Sequence, residues 1–427
     1  MGKSNSTKRG LISLFLVIIF FSSQNIFSQE QNDKRVVNSS IDNTVRTLAS
    51  EGFEGRAPQT KGDTLTAIFV SNFFQSNGIK PLLKDYFQEV SYKDRVKNAI
   101  NKDSANTLTY SRNVIGIIEG SDKNLKNEYI IIGAHMDHLG MGGRMSGSRI
   151  DSLAVHYGAD DNASGVALML DLAKKFINKP SKRSLIFIAF AGEEKGLVGS
   201  KGFVNNLPFD KNLINAMFNF DMVGNLKNNS ITAGGSKTSS TSEELIMKHA
   251  QKHNLKPSLS PNGHGPSDHS SFYAKNIPVF YFTTGADDTY HTPRDNADRI
   301  NYKGIELLSN FTYDLIKDIA NNKDRLVFQE AGSATQETGR ASFKITLGIM
   351  PDVTGSTENG LKADVVIKDR PAYKAGLQNG DIIIEIDSVK VKDINDYMKC
   401  LASLKADSIT KVKVIRGSEV KEFEVKL

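Results

Sequence analysis

Only one cysteine, Cys400, occurs in the 427 residues, so a disulfide framework within one chain is excluded, as is a lipid anchor on an N-terminal cysteine. A marked excess of either charge is missing too. Lys and Arg number 54 against 48 Asp and Glu, and setting aside Lys3, Lys8 and Arg9 at the N-terminus leaves a surplus of three. So even a balance gives no electrostatic case for nucleic acid as a partner. The apolar run from Leu11 to Phe21 is too short to span a bilayer comfortably. It follows a basic start and gives way to the polar Ser22 to Ser28, which fits the central region of a secretory signal. Residues 1–28 are therefore expected to be removed, leaving no stable membrane span and a secreted or periplasmic chain.

What is present is a set of acids and histidines in telling places. Tyr157-Gly-Ala-Asp-Asp-Asn-Ala-Ser-Gly-Val166 puts Asp160 and Asp161 between a Gly-containing turn and an apolar run suited to a buried helix. A lone Asp there would read as an N-cap. Around it, strand-like runs each deliver a His or an acid at the carboxyl end. Glu128 to His138 ends in His135, Asp137 and His138, and Ser184 to Phe190 leads to Glu193 and Glu194. Ile214 to Asp221 ends in its own acid, and Ile277 to Phe282 leads to Tyr290 and His291. Open α/β sheets place their sites at those ends.

Helical patterns over 163–177, 199–205, 242–254 and 302–320 alternate with these runs. They predict an α/β domain with a mostly parallel central sheet covered by helices on both faces. Two more helices, 41–48 and 65–74, flank the loop Glu51-Gly-Phe-Glu-Gly-Arg-Ala-Pro58. The chain is expected to divide into a large α/β domain over 34–322, a polar linker over 323–341 and a small β-rich domain over 342–427.

Imidazole and carboxylate at strand ends are the donors that a pair of borderline or hard cations requires. His135, Asp161, Glu194, Asp221 and His291 supply them. With Asp161 bridging, one cation takes His135 and Asp221 and the other takes Glu194 and His291, each keeping an open position. Two divalent cations, three carboxylates and one hydroxide sum to zero charge, which lowers the cost of burial. Glu193 is the expected general base, provided that Gly192 turns the chain so that both glutamates reach the site. Asp137 is expected to orient the His135 imidazole, and Tyr290 to donate to a developing oxyanion. His249 and His253, four apart on one helix, are expected on a solvated face because nothing acidic converges on them in the sequence.

In order, Ala134-His-Met-Asp-His138, Gly158-Ala-Asp-Asp-Asn-Ala-Ser-Gly165, Gly192-Glu-Glu194, Asn219-Phe-Asp221 and Tyr290-His-Thr-Pro-Arg-Asp295 resemble the di-zinc exopeptidases of metallopeptidase family twenty-eight. The likeness covers about Ile41 to Asn321. It implies two Zn2+ per chain, a peptide substrate, Asp161 rather than Asp160 as the bridge, and Glu193 as the base. That family includes secreted bacterial aminopeptidases, and the resembling group also contains carboxypeptidases and glutaminyl cyclases. A carboxypeptidase needs an arginine for the substrate carboxylate, for which Arg144, Arg149 and Arg294 are near enough. The C-terminal pattern Ala375-Gly-Leu to Gly380-Asp-Ile resembles a PDZ domain, whose ligand loop would be Thr346-Leu-Gly-Ile349. This implies a peptide C-terminus as a partner, and a PDZ-driven binding protein is the reading from another class.

Overall fold

The computed structural model describes residues 41–93, 108–143, 146–150, 153–331, 346–351, 357, 360–392 and 394–427. The expected signal segment, residues 332–341 of the expected linker, the first residues of both expected domains and Arg144 lie outside these. Among the described residues no helix is long and apolar enough to cross a membrane.

Two helices come first, α1 (Ile41–Leu48) and α2 (Lys61–Ser76). Next are β1 (Lys80–Pro81), β2 (Phe87–Lys93), β3 (Leu108–Ile118) and β4 (Tyr129–His135). The chain continues through α3 (Gly165–Asn178), β5 (Ser184–Phe190), α4 (Val198–Asn205), β6 (Ile214–Phe220) and β7 (Ser230–Gly234). Then follow α5 (Ser242–Lys252), β8 (Lys256–Leu259), α6 (His269–Tyr273), β9 (Val279–Thr283) and α7 (Tyr302–Asn321). The nine strands form one sheet in the order β1-β3-β5-β4-β6-β9-β7-β8, with β2 also pairing to β3. Its centre, β5-β4-β6-β9, is parallel, and antiparallel pairs flank it at β3/β5 and β7/β9.

Alternation along the central strands explains why helices cover both faces. Ile130, Ile132 and Ala134 of β4 point into the larger core with Phe187, Phe218, Phe280 and residues of α1, α2, α3, α5 and α7. Ile131 of the same strand faces the other core, with Ile186, Ile188 and Met217, under Phe203 of α4 and Phe272 of α6. Both faces being apolar, the strands read as continuous hydrophobic runs, as parallel sheets do. From β4 the chain moves to β5 on one side and then crosses to β6 on the other, so a crevice opens beyond the carboxyl ends where the order reverses.

Residues 323–331, expected to be linker, pack against this domain. Arg325 donates to the carbonyls of Asn212 and Ile214, Leu326 N–H donates to Asn215 Oδ1, and Ala331 exchanges hydrogen bonds with the Tyr273 hydroxyl. Their polar composition hid an apolar minority, Leu326, Phe328 and Ala331, that is enough to hold the strap.

The C-terminal unit has a six-stranded antiparallel sheet in the order β10-β11-β12-β14-β15, with β13 pairing to β12. These are Ile349–Pro351, Leu361–Val366, Ile382–Ile386, Val389–Lys390, Ile409–Arg416 and Glu419–Lys426. With α8 (Pro371–Ala375) and α9 (Ile394–Ser403) they enclose a separate core around Leu347, Ile383, Tyr397 and Val414.

Candidate metal centre

β4 carries His135 to the crevice, where its Nε2 lies 3.3 Å from Asp161 Oδ1 and 3.3 Å from Asp221 Oδ1. The other oxygen of Asp161 turns the opposite way, 3.2 Å from His291 Nε2 and 3.6 Å from His138 Nδ1. Glu194 Oε1 completes that side at 3.2 Å from His291 Nε2 and 3.2 Å from His138 Nδ1. One carboxylate thus faces two donor sets with its two oxygens, the arrangement of a bridge. Donor atoms bound tetrahedrally at about 2.0–2.1 Å from a zinc ion would be about 3.3–3.4 Å apart. The spacing here fits, and His135, Asp161 and Asp221 form one compact donor group while His138, Asp161 and Glu194 form another.

Local structure sets each of these side chains. Gly192 takes a φ of 67°, which glycine tolerates, and the following one-turn helix Glu193–Lys195 lets both glutamates stay at the site. Asp137 locks that turn, since its Oδ1 accepts from Glu193 N–H at 3.0 Å and its Oδ2 from Glu194 N–H at 3.3 Å. Its expected role of orienting His135 falls mainly to its main chain. His135 Nδ1 is 3.2 Å from the Asp137 carbonyl and 3.8 Å from the carboxylate. His291 is steered by the Gly147 carbonyl, 3.0 Å from its Nδ1. Asn162 accepts from Gly165 N–H and Met222 N–H while donating to the Phe220 carbonyl, which ties the exit of β6 to the start of α3.

Asp160 and Asp161 part company. Asp160 Oδ1 accepts from Gly224 N–H at 2.7 Å and stands 3.3 Å from the Ser164 hydroxyl, away from the imidazoles. Asp295 accepts from the N–H groups of Asp160 at 2.8 Å and Asp161 at 3.1 Å. It lies four residues past His291, so a single turn holds both His291 and the Asp161 backbone. Burial, with Asp295 next, raises the Asp160 carboxyl well above its usual range. Burial opposes ionisation of Asp161 as well, but His138, His135 and His291 pull it below its usual value.

Glu193 is 6 % exposed, and burial raises its carboxyl well above the usual range, with Glu194 and Asp221 adding to the effect. Burial also opposes ionisation of Glu194, where His291 and His138 prevail and hold it well below. The two neighbours are thereby drawn apart, Glu193 toward its protonated form and Glu194 toward its charged one. Tyr290 stacks on His291 with ring centroids 3.7 Å apart. Burial and the Asp161 and Glu194 carboxylates keep its phenol protonated, hence a donor.

Several residues near the site had no clear reading in the sequence. His138 is fully buried against Glu194, and Asp295 organises the Asp160–Asp161 turn. Asp268 is buried within electrostatic reach of His135 and Asp221, its carboxyl pushed up to about 6 by burial, and His269 beside it stacks on Tyr281. In the sequence, Asp268-His269 resembles a feature of the same exopeptidase family beneath its site, and Asp295 falls within the His291 block, so these two carry some signal.

The expectation for His249 and His253 is corrected. Acids do converge on them, His249 Nε2 lying 3.0 Å from Asp318 and His253 Nε2 2.8 Å from Asp314. These acids are four apart on α7 and invisible from the α5 sequence. Each also holds a lysine, Lys248 and Lys252, so the pairs clamp two helices. Of the candidate arginines, Arg294 is ion-paired to Asp288 at 2.9 Å, and Arg149 N–H donates to the His291 carbonyl.

Comparison with known proteins agrees with this geometry. Residues 113–316 match the model of peptidase family M28, and residues 346–427 that of the PDZ domain. Aminopeptidase YwaD of Bacillus subtilis (strain 168) is 31 % identical over 244 residues, covering 52 % of this chain and 48 % of that protein. Leupeptin-inactivating enzyme 1 of Streptomyces exfoliatus is 34 % identical over 149 residues, 34 % of this chain and 33 % of that one. The chain spans about half the length, or less, of the curated relatives named here. Among solved structures, the LapA aminopeptidase of Legionella pneumophila superposes with a TM-score of 0.52 at 21 % identity, over 68 % of this chain and 74 % of that one. BSAP, a zinc aminopeptidase from Bacillus subtilis, gives 0.51 at 18 % identity over 68 % and 97 %. These likenesses show the fold. Residues 113–316 thus belong to peptidase family M28, joined in the same chain to a PDZ domain at residues 346–427.

Proposed function

We propose that this chain is a zinc-dependent aminopeptidase that removes N-terminal residues from peptides, with two Zn2+ held by His135, Asp161, Glu194, Asp221 and His291. The observation carrying this reading is that the two oxygens of Asp161 face different imidazoles, His135 at 3.3 Å and His291 at 3.2 Å. When bound, the ions supply Lewis acidity that polarises the scissile carbonyl and makes water easier to deprotonate. Glu193 takes the proton from the attacking water and returns it to the departing amine, for which its raised carboxyl is suited. Tyr290 donates to the oxyanion as it develops. Asp137 holds the Glu193 turn, and Asp295 holds the bridge. That a similar curated protein is named as an aminopeptidase supports cleavage at the N-terminal end of the peptide.

The apolar run Leu11 to Phe21 supports export, to the periplasm or beyond the cell. In the PDZ unit β10 pairs only with β11 among the described residues, which leaves an edge for an added strand. Gly348 of the loop beside it has a φ of 80°, supporting a role in turning main-chain N–H groups toward a peptide carboxylate.

The deciding assay compares free, N-acetylated and C-amidated versions of one peptide on zinc-loaded protein. Loss of cleavage on acetylation alone is expected. Loss on amidation alone would make the chain a carboxypeptidase, and cyclisation of an N-terminal glutamine would make it a cyclase.

A further inference from the structure

Arg56 reaches the floor of the centre from outside the matched peptidase segment. It ends the helical turn Glu51–Arg56 after α1. Gly55, before it, has a φ of 65°, and a Cβ there would stand 2.5 Å from the carbonyl oxygens of both Gly140 and His156, so only glycine fits. Gly140 N–H donates to Gly55 O at 2.9 Å, which fastens this turn to the chain just past β4.

The Arg56 side chain is 1 % exposed, and its fork is spent on main-chain carbonyls. Nε donates to Met136 at 3.0 Å, Nη1 to Leu48 at 2.6 Å and Tyr157 at 2.7 Å, and Nη2 to Gly158 at 2.8 Å. Met136 lies between His135 and Asp137, and Gly158 lies three residues before Asp161. One rigid, planar group therefore spans the two segments that carry a terminal donor and the bridging donor. Burial lowers the guanidinium to about 10, and Asp295, Asp161, Asp137 and Glu194 help to keep it charged. At neutral pH it is a buried cation facing the centre's acids.

We propose that Arg56 is a positioning residue of the metal centre, fixing the spacing between the His135 end of β4 and the Asp161 turn and thereby setting the affinity for the cations. This rests on the metal-centre reading above. Supporting groups of this kind typically alter metal affinity by about 10–100-fold when removed.

The test uses the full chain as wild type, Arg56→Lys and Arg56→Gln. Zinc affinity is measured by competition with a chromophoric chelator, the folded fraction by circular dichroism, and kcat and KM on an aminoacyl anilide at limiting and excess zinc. Both variants are expected to fold and to lose at least about tenfold in zinc affinity, Gln more than Lys. Excess zinc should recover much of kcat while KM stays near wild type. Folded variants with wild-type zinc affinity and only a lower melting temperature would overturn the proposal, as would failure of both to fold in excess zinc. A wild-type chain that binds no zinc is a separate outcome, because it sinks the metal-centre reading before any variant is compared.

Discussion

Asp160 and Asp161 carry the same side chain one position apart, yet the first accepts from the Gly224 main chain and the second faces three imidazoles. Exchanging them in a variant series separates these roles. Asp161→Ala is expected to lose both ions, as read by mass spectrometry of the folded protein, because among the described residues Asp161 is the carboxylate shared by both donor groups. Two tightly retained ions would rule out the bridge. Asp160→Ala should keep the ions but leave the buried Gly224 N–H without its acceptor, while the Ser164 hydroxyl keeps the Asp160 carbonyl, destabilising the protein by about 1–3 kcal/mol. Thermal melts measure that cost. Glu193→Gln keeps the shape of the side chain and removes its basicity, so turnover should fall by about two orders of magnitude with the metal content unchanged. Near wild-type turnover would exclude Glu193 as the base.

At the scale of elements, α5 and α7 are joined by two repeats of one motif, a carboxylate on α7 shared by a lysine and a histidine of α5 or, for His253, of its C-terminal cap. The Lys248 hydrogen bond lowers Asp318 below its usual value, while for Asp314 burial is outweighed by Lys252 and His253. A carboxyl lowered in the folded state stabilises it above the unfolded value and loses that contribution as pH falls through the folded one. Asp314→Asn with Asp318→Asn should therefore lower the melting temperature at neutral pH, with the gap to wild type closing below about pH 4. Both acids are only partly buried, so solvent screens the pairs and each change should cost about 1 kcal/mol or less. A gap that persists unchanged in acid would mean that packing, not charge, joins the helices.

On the scale of the whole chain, where the peptidase unit stops decides how it can be cut. A chain ending after residue 322 loses the contacts of Arg325, Leu326 and Ala331 and is expected to melt several degrees below one ending after residue 331. Equal melting would show that the 323–331 strap is dispensable. If the PDZ unit holds a peptide by its far end, the chain ending at 331 should hydrolyse a small aminoacyl anilide as the full chain does, but with a raised KM for longer peptides. Equal KM values on both substrates would remove that role.

Much of this molecule is legible without coordinates because its parallel strands are buried on both faces. Runs such as Tyr129–His135 and Ser184–Phe190 are continuous apolar stretches, and an acid or histidine where such a run stops stands out. The edge pair Ser230–Gly234 and Lys256–Leu259 was missed because it is short and partly exposed, so neither length nor alternation marks it. By itself the sequence determined where the acids and histidines gather, at strand ends and the turns after them, since those are local. Only the tertiary structure decided what holds them there. Asp137 and Asp295 act through backbone N–H groups and Arg56 through backbone carbonyls, with Asp295 lying 135 residues from Asp160 and Arg56 lying 102 from Gly158. A peptide group is the same at every position, so a side chain that recognises one leaves no signature at its partner. Such partners appear only when the fold brings the segments together.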